Sequence, residues 1–127
     1  MRTPSTDTLI DVAVNHGLRI GWHRGGPKAA WRPPRKISLQ LGMTDPDTVC
    51  ALAHELGHFA HGDACGEDQR AEARAWRHAA DILIDPEQYR TAELAFGPHP
   101  ARLAAELGVT THVIAVWRDT HERITRS

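Results

Sequence analysis

One stretch of this chain, residues 18–43, carries the alternating pattern that favours β-strands. Apolar side chains alternate there with polar or small ones in two runs, 18–22 and 37–43, which is the pattern of half-buried strands. A third apolar segment, 29–32, ends at two consecutive prolines, and proline cannot continue a hydrogen-bonded ladder. We therefore predict three short strands that form a small antiparallel sheet.

The rest of the chain carries helix signals. Ser5 is placed to cap a first helix that Gly17 ends. Asp45 is the predicted cap of a second helix, with Pro46 at its first position and Gly62 at its end. Further helices are predicted at about 67–84, 86–97, 100–107 and 111–125. One helix, a small sheet and several more helices define an α+β arrangement.

A chain of 127 residues suits a single domain. We divide it into a helix with a small sheet at 1–45, a helix pair that carries the main motif at 46–86, and C-terminal helices with helix-turn-helix spacing at 87–127. No apolar run reaches the roughly 18 residues of a membrane span, and residues 1–8 lack the apolar core of a signal peptide. We therefore expect a cytoplasmic protein with no membrane partner, in which Cys50 and Cys65 are reduced thiols.

Charge is unevenly distributed along the chain. The formal net charge of −1 gives no support for nucleic acid as the partner. Residues 12–44 nevertheless contain six basic side chains and no acid, whereas residues 45–93 contain eleven acids and four arginines. We interpret the basic segment as a solvated hairpin face, with a surface that steers substrate as the alternative.

The strongest chemical signal is the run His54-Glu55-Leu56-Gly57-His58 on the second predicted helix. Two histidines four residues apart lie about 40° apart around a helix axis, so both imidazoles can reach one metal ion. Glu55 projects to the side, where it can accept a proton from an attacking water. Apolar residues cluster on the opposite side of this helix, which separates a core face from a histidine face.

A catalytic zinc site needs a third protein ligand and an open position for water. Metzincins supply it from the extended motif H-E-x-x-H-x-x-G-x-x-H, but Ala64 stands at that position here, so this class is excluded. A carboxylate from the region after the motif is the other common solution. The candidates are Asp63, Glu67, Asp68, Glu72 and Asp81.

Glu72 is the favoured third ligand. Two helices joined by a short loop run antiparallel, which brings Glu72 level with His58. Glu72 also borders a face of small residues that allows the two helices to pack closely. A flank ion pair with Arg74 or another arginine is the competing interpretation. Asp68, one turn earlier on the same face, stays open as a second candidate ligand or as the acceptor of a histidine N–H.

Other residues near the motif have simpler interpretations. Cys50 lies one turn before His54 and could close the site as a fourth ligand, but we interpret it as a small buried side chain. His61 is assigned to the end of its helix. His78 is assigned to a hydrogen-bonded core position, and both His78 and Arg74 are alternatives for a group that holds the developing oxyanion. The four tryptophans are interpreted as core and rim hydrophobes.

The motif and the residues after it resemble the ImmA/IrrE family of metallopeptidases. HELGH at 54–58 is followed by EARA at 72–75 and by ILIDP at 82–86, and the family pattern has similar segments in this order. The resemblance covers about residues 35–86 well and the remainder loosely.

This resemblance implies a zinc peptidase whose substrates are proteins. It assigns His54, His58 and Glu72 as zinc ligands and Glu55 as the base. Family members occur in bacteria and on mobile elements such as phages, and known ones cut helix-turn-helix repressors. A protein substrate of that kind is therefore the expected partner. The chain departs from the family pattern at Trp76 and His78, where Asn and Phe are usual.

From the residues and the resemblance together, we predict a zinc-dependent endopeptidase in which Glu55 activates the water. One alternative is a non-catalytic binding module stabilised by a closed metal site. Another is an adaptor that binds DNA or a repressor through the last two helices. Residues 99–127 carry four arginines against three acids, which is a weak positive charge for gripping phosphates.

Overall fold

The computed structural model describes residues 4–63 and 68–126 of the chain. In these residues six helices and three strands form an α+β domain, which confirms the predicted class. The elements are α1 Thr6–Asn15, β1 Arg19–His23, β2 Ala29–Arg32, β3 Lys36–Gln40, α2 Asp45–Ala60, α3 Gln69–Leu83, α4 Pro86–Phe96, α5 Pro100–Leu107 and α6 Thr111–Arg126. Within the described ranges, none of the helices has the length and apolar character needed to cross a membrane.

The prediction of a wholly antiparallel sheet is wrong. The strand order is β1-β3-β2, with β1 parallel to β3 and β2 antiparallel to it. The central position belongs to β3, whose Ile37, Ser38 and Leu39 are all buried. Period-two alternation reports which face of a strand is buried but not which strand lies beside it. The most buried strand therefore lies in the centre although it comes last in the chain.

His23 connects the segment between β1 and β2 to the central strand. The His23 Nε2–H donates to the carbonyl oxygen of Pro27 at 2.7 Å, because a carbonyl can only accept. The Nδ1 atom of the same ring shares a second hydrogen bond with the hydroxyl of Ser38 on β3 at 2.5 Å. This bridge ties the segment between β1 and β2 to β3. Strand β2 is an edge strand of the sheet and lies beside α2.

Helix α2 begins one residue differently from the prediction. The side chain of Thr44 caps it by accepting the N–H of Asp47 at 3.2 Å, so Asp45 is the first helical residue and not the cap. A hydroxyl at position 44 satisfies the free N–H, and the two aspartates then lie in the first turn, where they favour the helix dipole. One face of α2 packs against the sheet and α1 and forms much of the core.

Helices α2 and α3 approach each other closely at Gly57. A Cβ atom added to Gly57 would lie 2.7 Å from the carbonyl oxygen of Ala75 on α3. On the facing side of α3, Ala71, Ala75 and Ala79 are all buried. Small residues on both helices therefore let the backbones meet, and this contact brings the first turn of α3 opposite the histidine face of α2.

The last helix completes the surroundings of α2. Val113 and Ile114 of α6 are fully buried, and α6 packs along α3. The turn before α6 is fastened to α2, because the backbone N–H of Thr110 donates to the Sγ atom of Cys50 at 3.4 Å. The beginning of α6 therefore lies beside the central part of α2.

Candidate metal centre

Three side chains from two helices converge at one point. The His54 Nε2 atom lies 3.0 Å from Oε2 of Glu72, and the His58 Nε2 atom lies 2.7 Å from Oε1 of the same carboxylate. The three potential ligand atoms are all within 4.8 Å of one another. Residues 54 and 58 come from α2 and residue 72 from the first turn of α3, so the hairpin assembles the group, which could hold a metal ion.

The chemistry of this group fits a divalent metal of the zinc type. Two imidazole nitrogens and one carboxylate oxygen are a common donor set for catalytic zinc. The histidine side chains retain only 12% and 8% exposure for His54 and His58, whereas that of Glu72 retains 43%. The two imidazole rings are thus covered by protein, whereas the Glu72 carboxylate is partly open to solvent.

Asp63 and Arg74 form what we call the closed flank of this group. Oδ2 of Asp63 accepts the Nδ1–H of His58 at 2.9 Å, and Oδ1 accepts the Arg74 guanidinium at 2.6 Å. The indole N–H of Trp31 donates to the Asp63 carbonyl oxygen at 2.8 Å. Because Asp63 holds the Nδ1–H, Nε2 is the His58 nitrogen that could bind a metal ion, in place of the hydrogen bond it makes to Glu72.

The electrostatics of the closed flank follow from these contacts. Burial acts to lower the pKa of His58, but its hydrogen bonds to Asp63 and Glu72 outweigh burial and raise it above the ordinary value. The hydrogen bond from His58 is the main cause that lowers the pKa of Asp63, and the charge of Arg74 adds to it. Asp63 is therefore a carboxylate at neutral pH and orients the imidazole as an anion.

The role of Asp63 differs from the prediction. From the sequence, Asp63 was a candidate metal ligand only, and Asp68 was a second candidate ligand or the acceptor of a histidine N–H. Asp68 instead caps α3 by accepting the N–H of Arg70 at 2.9 Å. Gly62 adopts a φ of 67°, and the N–H of Asp63 returns to the carbonyl of His58 at 2.9 Å. This turn brings the Asp63 carboxylate to the Nδ1 atom of His58.

Glu55 lies beside the ligand group without joining it. The residue is only 6% exposed, and its Oε1 atom lies 3.3 Å from Nδ1 of His54. It faces a cleft of about 450 Å³ whose wall also includes Lys28, Ala29 and Thr110. A carboxylate that lies beside these three residues and lines a cleft can exchange protons with a molecule bound in the cleft.

Trp76 and His112 complete this second side, which together with Glu55 we call the open flank. The Trp76 indole stacks on the His54 ring at 4.2 Å between centroids and 12° between planes. Its edge meets the ring of His112 at 4.4 Å and 88°. Trp76, predicted only as a core or rim hydrophobe, thus restrains the ring of His54.

The remaining sequence candidates lie away from the group. Burial raises the pKa of the Cys50 thiol. Its Sγ atom accepts the N–H of Thr110 and is not part of the His54, His58 and Glu72 group. His61 stands at the C-cap of α2, as predicted, and its ring lies 5.8 Å from that of His78. Arg74 pairs with Asp63 and not with Glu72. The candidate ligand Glu67 lies outside the described residues, as do Ala64 and Cys65.

Comparison with known proteins adds no relative. No protein-family model matches the chain, and no curated protein sequence matches it. What the site can do must therefore be judged from its own geometry and from the motif.

Proposed function

We propose that this chain is a zinc-dependent endopeptidase that cleaves a protein substrate, such as a helix-turn-helix repressor. One observation carries the proposal. A buried carboxylate, Glu55, stands at an open cleft next to the His54, His58 and Glu72 group without being part of it. Separate ligands and base are what metal-assisted hydrolysis requires.

His54, His58 and Glu72 would hold the zinc ion. A zinc ion at this point supplies a Lewis acid for the scissile carbonyl and makes a nearby water more acidic. Glu55 accepts a proton from the water as the water oxygen bonds to the carbonyl carbon. As the bond between that carbon and the amine nitrogen breaks, Glu55 returns the proton to the nitrogen. The Asp63 carboxylate keeps the His58 ring in its binding orientation throughout.

The edge of β2 supports an extended peptide as the substrate. The carbonyl oxygen of Lys28 accepts the backbone N–H of Gln40 at 2.9 Å. Hydrogen-bonded and non-bonded pairs alternate along an antiparallel ladder, so the next pair, Ala29 and Leu39, exchanges no backbone hydrogen bonds. The N–H and C=O of Ala29 then point away from the sheet, and Ala29 lines the cleft. A peptide can add to this edge as a further strand and pass Glu55.

The substrate class is proposed from the resemblance to the ImmA/IrrE family. The HELGH run and the segment 72–86 carry that resemblance, and family members of known function act on helix-turn-helix repressors. The resemblance accordingly supports a protease that acts in the cytoplasm and is encoded by a bacterium or by a mobile element such as a phage.

The test combines metal analysis with cleavage of repressors. We expect one zinc ion per purified chain by elemental analysis. We also expect cleavage of at least one member of a panel of repressors encoded near the gene. Glu55→Gln is the matched control, because it removes the base and leaves all three ligands. It should keep the zinc and lose cleavage by about 10²–10⁴-fold. Full cleavage by this variant, or a chain that takes up no zinc, would contradict the proposal.

A further inference from the structure

The proposed reaction needs a hydrogen-bond donor for the substrate's carbonyl oxygen, which gains negative charge as water adds to the carbon. The two side chains that the sequence suggested for this are engaged elsewhere. Arg74 donates to Asp63 on the closed flank, and the ring of His78 lies against that of His61. Further candidates for this donor lie on the open flank, whose residues line the cleft.

His112 is the side chain of the open flank that is suited to this task. It is the second residue of α6 and lines the same cleft as His54 and Glu55. The hydrogen bond from Thr110 to Cys50 fastens the start of α6 to α2. His112 therefore has a defined position relative to the metal group, although it comes from a distant part of the sequence.

The orientation of His112 is restrained by the same indole that restrains a metal ligand. Trp76 stacks on His54 with one face and meets His112 with its edge. Among the described residues, no side chain or backbone group forms a hydrogen bond with the His112 ring nitrogens. A ring that is held by packing and has free nitrogens can offer an N–H to a molecule in the cleft.

We propose that His112 is a catalytic residue that donates an N–H hydrogen bond to the scissile carbonyl oxygen of the substrate. The inference rests on the proposed peptidase function. Partial burial, followed by the neighbouring charges of His54 and Lys28, lowers the pKa of His112 below its ordinary value. The ring is therefore a neutral imidazole near pH 7 and carries one N–H.

The hydrogen bond leaves the proton balance of the reaction unchanged. The water oxygen bonds to the carbonyl carbon, the π electron pair of the carbonyl moves onto its oxygen, and one water proton passes to Glu55. The carbonyl then re-forms as the carbon–nitrogen bond breaks, and the amine nitrogen receives the proton from Glu55. His112 stabilises the charge on the oxygen throughout and does not transfer its own proton.

Three variants test this role in the zinc-loaded protein. His112→Ala should lower kcat by about 10²–10³-fold, the usual cost of losing one oxyanion donor, with zinc content and KM little changed. His112→Gln keeps an N–H donor and should recover part of that loss. His78→Ala is the matched control, because it removes a histidine outside the cleft, and it should leave kcat unchanged. An unchanged kcat in His112→Ala overturns the inference.

A binding measurement separates this inference from the peptidase proposal. Inorganic phosphate, a tetrahedral oxyanion, is titrated into the Co²⁺-loaded protein and followed by visible absorption. His112→Ala should weaken phosphate binding about tenfold, and His78→Ala should not. If the protein binds phosphate through His112 but cleaves nothing, the peptidase proposal fails and the assignment of His112 as an oxyanion donor stands. If the chain takes up no Co²⁺, or if His112→Ala binds phosphate like the unaltered chain, the inference is overturned.

Discussion

The two flanks of the His54, His58 and Glu72 group are built from different interactions. On the closed flank, both oxygens of Asp63 are engaged, one by a ligand histidine and one by Arg74. On the open flank, the ring of His54 is held by stacking on Trp76, and the Oε1 atom of Glu55 lies 3.3 Å from its Nδ1 atom. One flank engages its carboxylate internally with a histidine and an arginine, and the other presents polar atoms to a cleft.

This difference shows how one small hairpin can combine rigidity with access. Charged hydrogen bonds with both partners in place fix a tautomer and an orientation. Aromatic stacking restrains a ring without using its nitrogens, so the polar atoms of the open flank remain available to a substrate. Substitutions on the two flanks should therefore have different consequences for metal binding and for catalysis.

The largest effect is expected where the two flanks meet, at the metal ligands themselves. Glu72→Ala removes the only carboxylate of the described group and leaves two imidazoles, so stoichiometric zinc should be lost, and cleavage with it. Elemental analysis after dialysis measures this. Cys50→Ser is the comparison, because Cys50 contacts Thr110 and not the ligand group. This variant should keep both zinc and cleavage.

The reverse outcome for this pair would reassign the centre. If zinc depended on Cys50 and not on Glu72, the carboxylate ligand would be misassigned. If zinc depended on both and no repressor were cut, a closed structural site would describe the chain better than an open catalytic one.

Asp63→Asn should produce the next largest effect and reports on the closed flank alone. The amide keeps the size of the side chain but removes the charge that orients His58 and pairs with Arg74. Zinc affinity should fall about 10–100-fold, the usual cost of losing a group that orients a ligand histidine. Competition with a chromophoric chelator measures it. An unchanged affinity would show that the hairpin alone orients the ring.

Gly57→Ala tests the packing that brings the two flanks together. The added methyl group would lie 2.7 Å from the Ala75 carbonyl oxygen, so α3 must shift away from α2. Overpacking of this kind costs about 1–3 kcal/mol of stability, measured by urea denaturation, and the shift of Glu72 should weaken zinc binding as well. Ala60→Leu, at the exposed end of the same helix, is the control and should change neither quantity appreciably.

The grouping of His54, His58 and Glu72 could be predicted from the sequence because the information is local. The positions of His54 and His58 on one helix follow from the helical repeat, and Glu72 follows from the antiparallel return of a short hairpin. The sheet order was not predictable in this way, because alternation is the same whichever strand is the neighbour. The central place of β3 depends on how much of it the rest of the domain buries.

The position of Asp63 beside His58 and that of His112 at the cleft could not be predicted, for a related reason. Asp63 reaches His58 only because the backbone reverses at Gly62 and returns to the helix end. His112 reaches the cleft because α6 packs on α3. Neither contact has a fixed spacing from the motif. A glycine and an aspartate directly after a metal-binding helix are the signal that could have pointed to Asp63.

The smallest effect is expected at the pair of Lys28 and Asp47, two residues that line the same cleft as the open flank and whose charged atoms lie 3.2 Å apart. The two side chains are 64% and 33% exposed, so water and salt screen their attraction, and such pairs contribute about 0–1 kcal/mol. Lys28→Met should therefore lower the free energy of unfolding by less than about 1 kcal/mol, and less still in high salt, with zinc content unchanged. Urea denaturation at two salt concentrations measures this. A loss as large as that expected for Gly57→Ala would mean that the open flank also contributes to the stability of the hairpin, and the contrast between a rigid flank and an accessible one would no longer hold.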